Sequence, residues 1–126
     1  MKAAFIERTG PPEVIRHGDL PEPVAGPGQA LVRVRACAVN PIDTYVRAGT
    51  VAMPLPSPFV VGCDLAGEVV AVGPGTAGLE PGDRVWGSNQ GLLGRQGVCA
   101  EFAAVDARWL YHTPGGVSDR DAAAGA

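Results

Sequence analysis

A chain of 126 residues with a formal charge of −3, 46% hydrophobic and 6% aromatic, is long enough for one domain with a single core, and too short for a second domain of Rossmann size. With 18 Gly and 12 Pro it is turn-rich, which favours many short strands over long helices, and the core is expected to be built of Val, Ala and Leu. The acidic balance and the lack of any basic run exclude a nucleic-acid or anionic-membrane surface. No stretch approaches the roughly 20 apolar residues of a membrane span or the apolar core of a signal peptide, so the expected compartment is the cytoplasm.

In chain order, Lys2 to Glu7 reads as a first strand, ended by Thr9-Gly10-Pro11-Pro12, where two prolines remove backbone donors and fix φ. Val14 to His17 is expected to return as a second strand, and Pro21 to Gly28 is a loop by composition. Gln29 to Val39 alternates, with Val32, Val34 and Ala36 on one face and Arg33 and Arg35 on the other, the pattern of a half-buried strand. A short helix follows. Asn40 suits its N-cap, Pro41 its first position, Asp43 the positive end of its dipole and Gly49 its stop.

After the loop Pro54 to Pro58, Phe59 to Val72 is Val-rich strand interrupted by Gly62 and Gly67, as at the corners of a barrel. Gly73-Pro74-Gly75-Thr76-Ala77-Gly78 matches the dinucleotide pattern G-x-G-x-x-G. It is followed by Leu79-Glu80-Pro81-Gly82-Asp83 instead of a helix, so a hairpin connection is expected. Further strands are predicted at Arg84–Gly87, Val98–Val105 and Trp109–His112. Ser118-Asp119-Arg120-Asp121 then opens a capped helix through Ala122-Ala123-Ala124. A helix within about two turns of the terminus is marginal alone, so the chain is expected to be a piece of a longer protein. Residues 1–117 form the domain proper and 118–126 the start of a connecting helix.

Cys37, Cys63 and Cys99 are odd in number and widely spaced, as expected of free thiols in a reducing compartment. Cys63 and Asp64 together with Cys37, Cys99, His17 or His112 could make a degenerate metal site, but the spacings lend it no support.

The ordered set Asn40-Pro41-Ile42-Asp43-Thr44-Tyr45, Gly49, Pro58, Gly62-Cys63-Asp64-Leu65-Ala66-Gly67, Val72-Gly73 and Gly82-Asp83-Arg84-Val85 resembles the medium-chain dehydrogenase/reductase superfamily. Within it, the chain is most similar to the zinc-independent quinone oxidoreductases related to ζ-crystallin. The resemblance implies a mainly β fold, a GroES-like, partly open β-barrel with one or two short helices, forming the substrate side of a cleft whose other side is a Rossmann domain binding NADPH.

In the zinc alcohol dehydrogenases of the superfamily, the positions matching Asn40 and Cys63 are a cysteine and a histidine ligand, and that matching Ile42 is a hydroxyl of the proton relay. All three have changed. An amide is a poor ligand for catalytic zinc, and Ile42 passes no proton, so no zinc is expected. The implied chemistry is hydride transfer from NADPH to a small quinone or enone, with Asn40, Tyr45, Cys63 and Asp64 at the cleft and with room for a homodimer in the full-length protein. Asp43 reads equally as a cap-stabilising acid and a site residue. Asn40 and Tyr45 have a plain alternative as cap and packed aromatic, since they lie roughly 140° apart around a helix. Val51 stands where many relatives carry a second tyrosine, which makes the pocket less polar. The competing functions are a free-standing GroES-like binding or assembly module without catalysis and, less favoured, a zinc alcohol dehydrogenase domain.

Overall fold

The computed structural model describes residues 1–125 and contains two antiparallel sheets and two short helices. β1 (Lys2–Ile6), β2 (Arg16–Asp19) and β4 (Phe59–Val60) form one sheet in the order β2-β1-β4. β3 (Gln29–Ala38), β5 (Asp64–Val72), β6 (Arg84–Gly87), β7 (Phe102–Asp106) and β8 (Leu110–His112) form the other, in the order β7-β3-β5-β6-β8. Neither sheet closes on itself, which is the expected mainly β, partly open, GroES-like architecture. The helices are α1 (Pro41–Ala48) and α2 (Asp119–Ala124). Ala126, the last residue of the expected connecting helix, lies outside the described residues.

The alternation in β3 survives intact: Ala30 and Val32 are buried while Arg33, Arg35 and Cys37 are exposed. Its inward residues join Leu65, Val69, Val85, Val98, Ala103, Val105 and Leu110 in the main core. At about 25 cal/mol per Å² of apolar surface removed from water, such side chains contribute roughly 1.5–3 kcal/mol each. β5 departs from simple alternation because both of its faces are covered. Leu65 points into the core, and Ala66 lies under Ala122 and Ala123 of α2. Small residues on both sides of that contact let the helix sit close to the sheet. Gly67 has the same origin, since a Cβ there would run into the carbonyl oxygen of Arg33. The β3–β5 register shifts between Val34 and Ala36, beside this glycine, which is the irregularity expected of a bent barrel strand.

Two expected strands are corrected, and a third divides at its predicted glycine. The segment Val14–His17 is instead a 3₁₀ turn at Pro12–Val14 followed by β2, an exposed edge strand with no apolar alternation to mark its start. The stretch Phe59–Val72 divides into β4 and β5 around Gly62, whose φ of 104° is a left-handed value that breaks the ladder. The segment Val98–Val105 begins its strand only at Phe102, because Cys99 and Ala100 are engaged with β1: the Ala4 N–H donates to Cys99 O at 2.8 Å, and Ala3 bridges Ala100.

The 73–78 glycine segment connects β5 to its antiparallel neighbour β6. It is tied to the 26–29 turn by Gly28 N–H to Pro74 O (2.9 Å) and Thr76 Oγ1 to Gln29 O (3.0 Å). It opens no helix, so it lacks the N-terminal amides that a pyrophosphate needs. α2 begins as read, with Ser118 Oγ accepting from the Asp121 N–H at 3.1 Å.

Candidate active-site wall

α1 starts where β3 runs out. Asn40 is its N-cap, in extended conformation, and Pro41 occupies the first helical position, where a missing N–H costs nothing. The Asp43 carboxylate accepts from the Asn40 N–H at 2.8 Å, and Asn40 O accepts from the Asp43 N–H at 3.0 Å. At the other end Gly49 takes φ 83°, and its N–H caps the last turn. Ile42 and Val46 sink into the cluster of Ile6, Val14 and Phe59, which fixes the rotation of the helix on the three-stranded sheet.

With its backbone held this way, Asn40 directs its side-chain amide across to β5. Nδ2 donates to Asp64 Oδ2 at 2.6 Å, a contact between residues 24 apart in sequence that joins two of the four predicted site residues. Asp64 is buried at 7% exposure, and its pairing Ala38↔Asp64 places it opposite the end of β3. Burial raises its pKa above the ordinary carboxylate value, the Asn40 hydrogen bond pulls it back down, and the nearby Asp43 charge raises it again.

Cys63 is the third predicted residue brought here, buried beside Asp64. Desolvation, a hydrogen bond to Asp43 and the negative charges of Asp43 and Asp64 push its thiol up to about 12. It is therefore a neutral thiol at neutral pH, and neither a nucleophile nor a ready thiolate ligand. Gln90, also buried, closes this region: its N–H donates to Cys63 O at 3.2 Å.

Tyr45, the fourth predicted residue, stands apart. It lies on the solvent side of α1 at 50% exposure. Asp43, left open in sequence, serves both purposes, as the reciprocal half of the helix cap and as the charge that acts on Cys63 and Asp64. Gln90 was not singled out in sequence, and a glutamine in a glycine-rich loop carries no local signal of burial.

The donors do not suit zinc. The Asn40 amide presents an N–H toward the carboxylate, the Cys63 thiol holds its proton, and among the described residues no group of three or more His, Cys, Asp or Glu is placed to hold a metal ion. What the arrangement offers is a fixed, half-buried amide beside the buried Cys63 and Asp64 side chains. A cavity of about 650 Å³ between β7 and the 94–98 loop is lined by none of the four predicted residues. No helix among the described residues is long and apolar enough to cross a membrane.

Residues 26–115 match the family model of the alcohol dehydrogenase GroES-like domain. The chain is 35% identical over 116 residues to a quinone oxidoreductase of Lama guanicoe, covering 91% of this chain and 34% of that protein. A trans-enoyl reductase of Fusarium mangiferae is 41% identical over 104 residues, covering 82% of this chain and 26% of the relative. Among solved structures, the Escherichia coli quinone oxidoreductase complexed with NADPH superposes with a TM-score of 0.88 at 28% identity, over 98% of this chain and 36% of that one. The chain thus spans about a third of the length of the curated quinone oxidoreductases it matches.

Proposed function

Because the chain belongs to the quinone oxidoreductase family of the medium-chain dehydrogenase/reductase superfamily, through its GroES-like domain, we propose that it forms the substrate-side wall of a cleft. There, hydride passes to a quinone or to an α,β-unsaturated carbonyl. NADPH, when bound, supplies the hydride; support for it comes from the Escherichia coli relative, whose structure is a complex with NADPH. In this reading residues 1–117 are the substrate-side domain, residues 118–126 lead toward a cofactor domain, and the protein works in the cytoplasm on small molecules.

The single observation that carries the proposal is the Asn40–Asp64 hydrogen bond. It ties an amide and a carboxylate together at positions where, by resemblance, a zinc enzyme would aim ligands at a metal, which leaves positioning as the contribution of this wall. Asn40 is held in orientation by Asp64 on one side and the α1 cap on the other, so it can fix the carbonyl of a planar acceptor without reorganising. Cys63 adds no charge beside Asp64. Tyr45, free in solvent on the same helix, is placed to close over an acceptor only if the cleft is completed from outside this chain.

The enone reading draws on the trans-enoyl reductase relative, and the quinone reading on the larger set of quinone oxidoreductases. Both are tested by following NADPH oxidation with a quinone series and an enone series, using the 126-residue chain and the longest protein that its gene encodes. The chain alone is expected to be inactive and a product carrying a Rossmann domain active, with Asn40→Ala lowering its kcat/KM on the order of tenfold or more. Activity of the chain alone would overturn the division of labour. A longer product inactive with both series, or one needing stoichiometric zinc, would overturn the reading itself.

A further inference from the structure

Two thiols that are 62 residues apart in sequence meet on the surface beside the site. Cys37 is exposed near the end of β3, held by its pairing with Leu65, and Cys99 is half-buried in the segment leading to β7. Cys99 is anchored by its own N–H to Val61 O (2.9 Å) and by its carbonyl, which accepts from Ala4 N–H (2.8 Å). The two sulfurs lie 3.2 Å apart in an S–H···S contact. Forming a bond of about 2.0 Å from there requires roughly 1 Å of closure, within the reach of small side-chain rotations.

Rigid backbone on both sides presents these sulfurs to each other, so the contact is part of the fold. The pair is also polarised. The hydrogen bond from Cys99 lowers the Cys37 thiol to about 7, against opposing effects of burial and Asp43, while the same bond, burial and the negative charges of Cys37, Asp43 and Cys63 raise Cys99. Thiolate therefore accumulates on the exposed sulfur and the proton stays on the sheltered one, as in a nucleophile with its resolving partner. A slot of about 120 Å³ bounded by Ile15, Val39, Asp43, Arg47 and Cys99 opens beside them.

We propose that Cys37 and Cys99 form a dithiol site that reacts with hydroperoxides and closes to an intramolecular disulfide. The Cys37 thiolate attacks one oxygen of ROOH; the O–O bond breaks, ROH leaves after taking a proton, and the sulfur becomes a sulfenic acid. The Cys99 thiol then attacks that sulfur, the S–S bond forms, and hydroxide departs with the Cys99 proton as water. Two thiols are oxidised and one hydroperoxide is reduced to an alcohol and water. The product ties the strand that leads to Asn40 to the residue that lies over Gly62, where an added Cβ would stand 2.6 Å from Cys99 Sγ. Both arms of the Asn40–Asp64 wall thus sense the closure.

Cleavage after Arg35, Arg47, Arg84, Arg95 and Arg108 places Cys37, Cys63 and Cys99 on separate tryptic peptides, 36–47, 48–84 and 96–108. After treatment with one equivalent of hydrogen peroxide at neutral pH, non-reducing mass spectrometry is expected to find 36–47 joined to 96–108 with the loss of two hydrogens, reversible by dithiothreitol. Cys99→Ser should accumulate a dimedone-trappable sulfenic acid on Cys37, Cys37→Ser should react on the order of tenfold more slowly, and Cys63→Ser should close as the parent does. A link from 36–47 to 48–84, a link between two molecules, a sulfinate without the joined peptides, or no reaction overturns the proposal. The readout uses neither NADPH nor quinone, so it stands or falls independently of the function proposed above.

Discussion

The β3–β5 ladder has two ends of different character. At one end Ala30 and Val32 lie opposite Val72 and Val69, and the stabilisation comes from hydrocarbon taken out of water. At the other, Ala38 lies opposite Asp64, and the strands lead into Asn40, Cys63 and α1, where order depends on a charge-assisted hydrogen bond with a definite direction. Apolar burial tolerates residues of similar size, whereas the Asn40–Asp64 bond needs a donor facing an acceptor, so removing the Asn40 amide leaves the buried carboxylate without its partner. The ladder therefore lets a robust core carry a brittle site.

The largest effect should come from the core, even where it reaches the site end of the ladder. Leu65 is fully buried and belongs to the core by its contacts although it is the next residue after Asp64. Leu65→Ala is expected to cost about 2–5 kcal/mol in urea unfolding, independent of pH. A loss of under 1 kcal/mol would mean that the core is loosely packed and that the contrast between core and site is false.

Asn40→Ala strikes the other end. Losing a hydrogen bond to a charged group costs about 1.5–3 kcal/mol, and the loss should grow with pH, because removing the amide also removes the interaction that holds the Asp64 pKa down. An equal cost at low and neutral pH would show that the bond is not charge-assisted.

Asp64→Asn gives the smallest and most diagnostic change. The folded value of Asp64 lies above its unfolded value of 3.8, so the native state holds the proton more tightly, and this residue costs stability as pH rises through that window. Below the unfolded value the carboxyl is neutral in both states and the penalty vanishes. The variant should therefore match the parent at acidic pH and exceed it in midpoint at pH 7, with a flatter pH profile; a variant less stable at pH 7 would reverse the assigned sign.

How far these regions could be read from sequence follows the same division. The Val/Arg alternation of β3, Pro41 and Gly49 around α1, and Ser118 ahead of α2 are local signals, and each element stands where they put it. β2 was misplaced because an exposed edge strand has no apolar face to read, and the start of β7 because Cys99 and Ala100 are claimed by β1. Resemblance marked Asn40, Cys63 and Asp64 as neighbours, but the direction of the Asn40 amide is a contact across 24 residues that helix-cap chemistry alone would have spent on the backbone. The Cys37–Cys99 meeting lay beyond any periodicity in the chain. It needs the register of β3 and the detour of Cys99 toward β1 and Val61 together.

Ile42 gives the wall one more property. Its side chain packs against Ile6, Val14, Val46 and Phe59, so the residue two past the Asn40 cap anchors the first turn of α1 in hydrocarbon. Ile42 itself offers no hydroxyl to that layer. A proton moving to or from Asp64 therefore gets no relay from this side chain, and the apolar contact serves the seating of the helix alone.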